Sequence, residues 1–340
     1  MTRDSFDVVC LFGFSPHFLQ ITDFLDAASV ECNVVFGPRQ QDSIESLNLS
    51  ASVKKLCVQS LSDASFQEIG VRHRQSLGIS FGSPFIFTQK DIDDFRGQLI
   101  NSHGAPLPEF KGGGGFSWRI LQRDKRGSIL MHYVTTKIDE GAYAFRKDFI
   151  FSDEERMPCD LQKRQLKEEF EHLTPWIKQV ISGQITLDQS ASSLIPQDGP
   201  DSYFPRISSD LHGCINWSLS MQDLESFVLA FSKPYSGSFT FIKGQKVRII
   251  DLAIERECYM HPFTYGLILH ADPESFLISC NGGIMLLKRD SLSADANDLR
   301  IKSGDRFYTP DSVLQKALLS RVFYKPDGLV TRDYTSRQES

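Results

Sequence analysis

Short apolar runs alternate with stretches of helix-spaced polarity, and that pattern sets the first expectations. Asp7-Val8-Val9-Cys10-Leu11-Phe12-Gly13 reads as a buried strand closing on a glycine, followed by a helix over Pro16 to Ala28. Cys32–Gly37, Lys55–Val58 and Ser76–Ser80 repeat the theme, with Lys55–Val58 the weakest of the three. Runs that are apolar at consecutive positions predict strands covered on both faces, hence a mostly parallel sheet flanked by helices. In such a sheet ligands bind beyond the carboxyl ends of the strands. From Pro158 to Ser182 the residues Leu161, Leu166, Phe170, Leu173, Trp176-Ile177 and Val180-Ile181 recur at helical period, with charges on the other face.

Ser182 to Ser202 is rich in Ser, Gln, Asp and Pro and reads as a connecting segment. Five short runs follow: Phe239–Ile242, Lys246–Leu252, Tyr265–Leu269, Phe276–Cys280 and Gly283–Leu287. Lys243-Gly244-Gln245 and Asn281-Gly282-Gly283 serve as hairpin connections between them. Five strands at this spacing suggest a small barrel. Thr331 to Ser340 is polar and expected to fray. The expected division is residues 1–182 as the α/β domain, 183–203 as linker, 204–305 as the β domain and 306–340 as a C-terminal extension.

Composition narrows the class. At 340 residues the chain exceeds the ~250–300 at which single cores stop growing, so two domains are expected. Hydrophobic content of 41 % and charged content of 24 % are ordinary for a globular protein. Met1 to Asp7 shows no cationic segment followed by an apolar one, and no run approaches the ~20 apolar residues of a spanning helix. A cytoplasmic protein without a membrane partner is therefore expected. The seven cysteines are scattered and lack any CxxC pairing, which argues for reduced thiols and against a disulfide framework or a zinc site. Between Phe204 and Arg306 stand 11 Lys and Arg against 12 Asp and Glu. A domain that clamps tRNA should show a basic excess there, because phosphate neutralisation dominates such binding.

The chemistry concentrates between Gln98 and Gly141. Leu99-Ile100-Asn101-Ser102-His103 puts an amide and an imidazole on one face of a strand tip, since they stand two residues apart. Pro and Gly then turn the chain away. Met131 to Gly141 is a second apolar run, closed by Asp139-Glu140-Gly141. An amide donor, an imidazole and a carboxylate, each at a strand end, suit chemistry on a carbonyl. Taken singly, an Asn-x-His is usually structural and an Asp-Glu-Gly usually a turn; their joint occurrence with Pro106, Pro108 and Gly112 reverses that weighting. Gly112 to Gly115 lacks the Gly-Lys-Ser/Thr of a phosphate loop and reads instead as a close backbone approach to a bulky ligand. Phe12-Gly13-Phe14-Ser15-Pro16-His17 lacks the spacing of a dinucleotide site, and His17 either lines the site or caps the first helix. His132 reads as a packed or capping histidine. Phe81, Phe85, Phe87 and Phe116 are candidates to flank a flat ring.

Asn101-x-His103, Leu107-Pro108, Gly112 and Asp139-x-Gly141 together resemble the pattern of the folate-dependent formyltransferases. That family includes methionyl-tRNA formyltransferase, glycinamide ribonucleotide formyltransferase and the sugar N-formyltransferases. Ser80-Phe81-Gly82-Ser83-Pro84-Phe85-Ile86 is similar to the loop that holds the folate pterin. Ile215-Asn216-Trp217-Ser218 and Ala230 to Tyr235 look like the start of the C-terminal domain of the tRNA and amino-sugar enzymes. The resemblance implies a Rossmann-like catalytic domain over 1–182, an open OB-like β-barrel domain after the linker, and N10-formyltetrahydrofolate as formyl donor without a metal. It implies Asn101, His103 and Asp139 as catalytic residues, and Phe81, Gly82, Phe85, Ile86, Gly112, Gly113, Asp139 and Gly141 as folate contacts. In that reading Asn101 and a charged His103 stabilise an oxyanion, while Asp139 raises the imidazole pKa and relays or accepts the proton lost by the amine.

The sequence departs from the pattern at Ala105, where the family carries Ser, and at Ala142-Tyr143-Ala144-Phe145, where the tRNA enzymes often continue with an Asp-Thr-Gly-like stretch. Gly37 to Val53 also lacks the basic loop by which those enzymes resemble one another. The expected acceptor is therefore the amino group of a nucleotide-linked amino sugar, with initiator methionyl-tRNA second. A non-catalytic folate- or partner-binding homologue is the alternative of another class, and a hydrolase passing the formyl group to water a further one.

Overall fold

The computed structural model describes residues 6–189, 202–293 and 299–333. Its first half is a seven-stranded sheet built from β1 (Val8–Gly13), β2 (Glu31–Phe36), β3 (Lys54–Cys57), β4 (Ser76–Phe81), β5 (Leu99–His103), β7 (Arg126–Tyr133) and β8 (Tyr143–Ile150). A two-residue strand, β6 (Lys111–Gly112), lies apart from it. The order is β3-β2-β1-β4-β5-β7-β8. The first five strands are parallel, and β7 and β8 reverse direction at the edge.

β1 shows why its run is continuously apolar. Val9 and Leu11 pack on one side with Phe18, Ile21 and Leu25 of α1 (Phe18–Ala27). Val8, Cys10 and Phe12 pack on the other with Phe66, Phe87 and Phe95. A strand covered twice cannot alternate. The short helices α2 (Gln41–Glu45), α3 (Ala64–Gln67) and α4 (Gln89–Asp94) fill the crossovers, and α5 (Gly115–Leu121) precedes the reversed strands. The helical period over 158–182 appears as α6 (Pro158–Glu168) and α7 (Thr174–Ile181), joined by a π turn at Glu169–Leu173. That turn aims Glu169 at His17, whose Nε2 lies 2.8 Å from Glu169 Oε2 and whose Nδ1 lies 2.9 Å from Thr174 Oγ1. His17 is fully buried and makes no side-chain cap to α1, so it pins the first turn to the α6–α7 joint.

Residues 190–201 of the expected linker lie outside the described residues. The linker ends in β9 (Tyr203–Phe204), which pairs with β6. After α8 (Ser209–His212) and α9 (Met221–Ala230) come the hairpin β10 (Ser238–Ile242) and β11 (Gln245–Ile249) and a four-stranded antiparallel sheet. That sheet runs β12 (Ala253–Glu257), β15 (Gly283–Lys288), β14 (Ser275–Cys280), β13 (Ile268–Ala271). The small antiparallel sheets enclose one core that includes Trp217, Met221, Phe276 and Met285. Phe307 belongs to the same core and stacks on Trp217 at 5.6 Å, so the stretch expected as an extension from 306 begins inside the domain. The chain continues through α10 (Asp311–Leu319) into a hairpin of β16 (Ser320–Lys325) and β17 (Gly328–Asp333). Thr331 to Asp333, expected to fray, instead pair with Val322, Arg321 and Ser320; residues 334–340 lie outside the described residues.

The two halves meet across α5 and α9. Ser117 Oγ donates to the Ala230 carbonyl at 2.7 Å, and Trp118 Nε1 donates to the Pro205 carbonyl at 2.8 Å. Among the described residues, no helix is long and apolar enough to cross a membrane.

A candidate active site at the ends of the central strands

β5 ends with Asn101, Ser102 and His103, and the pleat places Asn101 and His103 on the same face. The antiparallel register sets His132 of β7 directly opposite Asn101, hence on that face too. On the parallel side Asn101 is opposite Ser80 of β4. Ser80 Oγ donates to Asn101 Oδ1 at 2.7 Å, and Asn101 Nδ2 donates to His132 Nε2 at 3.2 Å. His132 Nδ1 lies 2.9 Å from the Tyr133 carbonyl. A carbonyl oxygen only accepts, so Nδ1 of His132 carries a proton, and in the neutral ring Nε2 accepts from Asn101 Nδ2. The chain of bonds fixes the Asn101 amide and leaves its second N–H for a ligand. His132 is thus a positioning residue where the sequence suggested only a packed one.

Asp139 does not stand at a strand end as expected. β7 stops at Tyr133, and Asp139 lies six residues further on, in a loop, with φ +54°. This left-handed conformation is uncommon for a side chain, and Asp is among the residues that adopt it most readily. Gly112 N donates to Asp139 Oδ2 at 2.8 Å, and the adjacent Glu140 is tied to Lys111 Nζ at 3.1 Å. Asp139 Oδ2 lies 3.5 Å from His103 Nδ1, and Oδ1 lies 3.4 Å from His132 Nε2. His103 Nε2 donates to the Phe110 carbonyl at 2.8 Å.

Burial drives the His103 imidazole below its ordinary pKa, and Asp139 opposes that shift without reversing it. The direction corrects the expectation of a raised pKa. At Asp139 burial pushes the carboxyl up, but the facing His103 and His132 and the Gly112 N–H more than offset it, leaving the carboxyl well below its usual range. His103 is accordingly neutral near pH 7 and ready to take a proton. Once charged, both of its N–H groups face acceptors, the Phe110 carbonyl and Asp139.

The pH dependence follows. Activity that needs neutral His103 should fall along an acid limb lying below the ~6.5 of an ordinary histidine. Asp139→Asn removes the upward pull, so that limb should move further to the acid side while the maximum rate drops. A pH–rate series in which the limb of Asp139→Asn stays in place, or moves to higher pH, would contradict the coupling.

Asn101, His103, His132 and Asp139 line one cavity of about 620 Å³. Of the expected folate contacts, Gly82, Phe85, Ile86, Gly112 and Gly113 also line it. Phe81 does not: its ring is buried in the core, 5.8 Å from the rings of Phe18 and His17. Gly141 also stands behind the cavity, its backbone pressed so closely on Tyr133 that a Cβ would overlap the Tyr133 carbonyl oxygen. The tetraglycine differs from expectation in a related way. A Cβ on Gly112 would collide with the Phe204 carbonyl, and one on Gly113 would stand 2.6 Å from Arg206 Cγ. The room those glycines leave is filled first by the chain's own 203–206 segment. Arg39, Arg206 and Tyr324 also line it without having been singled out in the sequence. Ser80, the first residue of the segment likened to the pterin loop, lines it too, paired with Asn101 across β4 and β5.

Residues 208–297 match the family model "Formyl transferase, C-terminal domain". A methionyl-tRNA formyltransferase of Acetivibrio thermocellus is 26 % identical over 204 residues, covering 60 % of this chain. The crystal structure of WlaRD, a sugar 3N-formyl transferase in the presence of dTDP and 5-N-formyl-THF, superposes with a TM-score of 0.59 and covers 84 % of this chain and 98 % of that one, at 18 % identity. Residues 208–297 thus carry a formyltransferase C-terminal domain, and the chain is similar to methionyl-tRNA formyltransferases in sequence and to sugar N-formyltransferases in fold. The match spans 62 % of the Acetivibrio protein's length. The N-formyltransferase of Helicobacter canadensis, solved in complex with folinic acid and dTDP-3-aminofucose, shares the fold at a TM-score of 0.57 and 15 % identity, covering 82 % of this chain and 98 % of its own.

Proposed function

We propose that the protein transfers a formyl group from N10-formyltetrahydrofolate to the primary amine of a nucleotide-linked amino sugar. The observation that carries this reading is the convergence of Asn101, His103 and Asp139 on one wall of a single cavity of small-molecule size. The same cavity fits a reduced pterin. Ile86 and Ile138 are 77 % and 48 % exposed on its lining, and Phe85 and Val134 add apolar wall beside the Asp139 carboxylate. Apolar side chains left bare around a few convergent polar groups suit a flat heteroaromatic ring.

When bound, the folate supplies the formyl carbon and its carbonyl oxygen. The residues of the chain do the rest. Asn101 offers its second amide N–H to an oxygen that gains negative charge, held ready by Ser80 and His132. Neutral His103 takes the proton that the amine loses as it attacks the formyl carbon, and would return it to the folate nitrogen as the bond from that nitrogen to the formyl carbon breaks. Asp139 stabilises the imidazolium so formed and keeps the ring oriented.

A small acceptor is supported by the charge balance of the second domain, 11 basic against 12 acidic residues between Phe204 and Arg306. The fold shared with sugar N-formyltransferases agrees with it. Initiator methionyl-tRNA is the second reading, favoured by the sequence match to a methionyl-tRNA formyltransferase. The two separate by kcat/KM, measured with purified initiator methionyl-tRNA and with a panel of amino-sugar nucleotides at equal folate. The best sugar should exceed the tRNA by at least about tenfold, a margin of ~1.4 kcal/mol in transition-state binding. Parity, or a tRNA advantage, would reverse the order.

A further inference from the structure

The C-terminal hairpin closes over the cavity and brings an unusual charge arrangement with it. Its tip docks on the loop after β2: Arg39 N donates to the Pro326 carbonyl at 3.1 Å, and a Cβ on Gly37 would stand 2.7 Å from that same oxygen. Its first strand bridges to the linker at Arg206 and Val322. Tyr324 thereby comes between two segments far from it in sequence. The guanidinium carbons of Arg39 and Arg206 stand over its ring, 4.2 Å and 4.4 Å from the centroid. All three residues line the same cavity as Asn101, His103 and Asp139.

Two guanidinium groups gathered on one ring repel each other, and cation–π attraction offsets only part of that. Several arginines elsewhere meet acids: Arg74 pairs with Glu31, Arg126 with Asp124 and Glu109, Arg156 with Glu225. Among the described residues, neither Arg39 nor Arg206 has a carboxylate within ion-pair distance. Burial and the neighbouring Arg206 both lower the Arg39 pKa, the sign expected of a cation awaiting a counter-charge. Gly113 makes room for the Arg206 stem, so its lack of a side chain serves this arrangement. Planar guanidinium forks match phosphate oxygens in pairs.

We infer that Arg39 and Arg206, held on Tyr324, form the site for the diphosphate of the acceptor. The site rests on the proposed amino-sugar nucleotide reading and adds to it a seat for the phosphates. It also gives the hairpin a role, since removing Tyr324 would free both arginines. The α-carboxylates of a polyglutamylated folate are the other oligoanion that such a pair would hold, and the experiment separates the two.

Binding is measured by titration calorimetry without turnover, on the parent, Arg39→Gln and Arg206→Gln, using thymidine diphosphate, uridine diphosphate and inorganic pyrophosphate. Each substitution should weaken the favoured diphosphate by about tenfold or more, the scale of one lost charge-assisted pair. Arg206→Lys should fall between, because the charge survives and the fork does not. In turnover the KM for the amino-sugar nucleotide should rise in step, with kcat changing far less and the KM for monoglutamyl folate unmoved. Diphosphate affinity unchanged in both Gln variants would overturn the site. So would a parent that binds none of the three probes, or a loss confined to polyglutamylated folate. Arginine-dependent pyrophosphate binding in a protein that formylates no amino sugar would leave the site standing and sink the transfer reading instead.

Discussion

Asn101→Ala should lower kcat by ~10²–10³ while leaving folate affinity nearly intact, the usual scale for one oxyanion donor. The side chain is locked from two sides, by Ser80 Oγ at 2.7 Å and His132 Nε2 at 3.2 Å. Its free N–H is therefore pre-aimed, and nothing adjacent replaces it. Alanine also leaves two polar groups behind without their partner, so a modest loss of stability accompanies the loss of rate, about 1 kcal/mol. Asn101→Asp keeps the shape but replaces a donor by an acceptor, beside the Asp139 carboxylate and the bare His132 Nε2. It should be at least as inactive. Single-turnover rates on the three proteins decide the point: an alanine variant within a few-fold of the parent means that Asn101 does not bear the developing charge.

Gly141→Ala is the second change with a large expected effect, although Gly141 does not line the cavity. A Cβ there would overlap the Tyr133 carbonyl oxygen and stand 2.7 Å from the carbonyl carbon. These are backbone atoms of β7 and cannot rotate aside, so the 134–142 loop must move. Tyr133 N also donates to the Ala142 carbonyl at 2.9 Å, so the shift propagates on both sides of the glycine. Asp139 rides on that loop two residues away. A displacement of ~1 Å at a catalytic group typically costs ~10²-fold in rate. The overlap itself should cost about 1–3 kcal/mol of stability. Gly115→Ala is the matched control, because its Cβ would meet only the Ala105 Cβ at 3.5 Å. Loss of kcat and a lower Tm in Gly141→Ala, with Gly115→Ala near the parent, is the expected result. A fully active Gly141→Ala would show that the loop tolerates the shift and that the placement of Asp139 is not critical.

The parts of the fold that were legible in the sequence share one property: their signal is local. The doubly covered β1 and the Asn101–His103 face of β5 follow from side-chain period alone. β12 gave no such signal because Glu255, Arg256 and Glu257 are exposed on the edge of its sheet, with no apolar run to mark it. The expected strand-end position of Asp139 fails because Val134 to Ile138 continues the look of a strand, whereas β7 ends at Tyr133 and Val134 N makes the last bond to β5, to the Leu99 carbonyl. His132 became part of the site through register, which a single strand's pattern does not encode. The tetraglycine pointed correctly to a close approach, but the partner is the chain's own Phe204 and Arg206 rather than a ligand first. The Arg39–Tyr324–Arg206 grouping joins three segments, and nothing in any one of them announces the other two. The charge state of His103 turned on burial, which depends on the packed loops around it and outweighs the carboxylate that the motif supplies.

The central claim is that Asn101, His103 and Asp139 move a formyl group to an amine and not to water. The direct measurement uses N10-formyltetrahydrofolate labelled with carbon-13 in the formyl group, incubated with the protein and an amino-sugar nucleotide. Mass spectrometry of the sugar is read against tetrahydrofolate release. The predicted result is one labelled formyl group on the sugar amine for each tetrahydrofolate released, with both lost together in His103→Ala. Label appearing as formate while the sugar stays unmodified, or transfer that persists in His103→Ala, would contradict it.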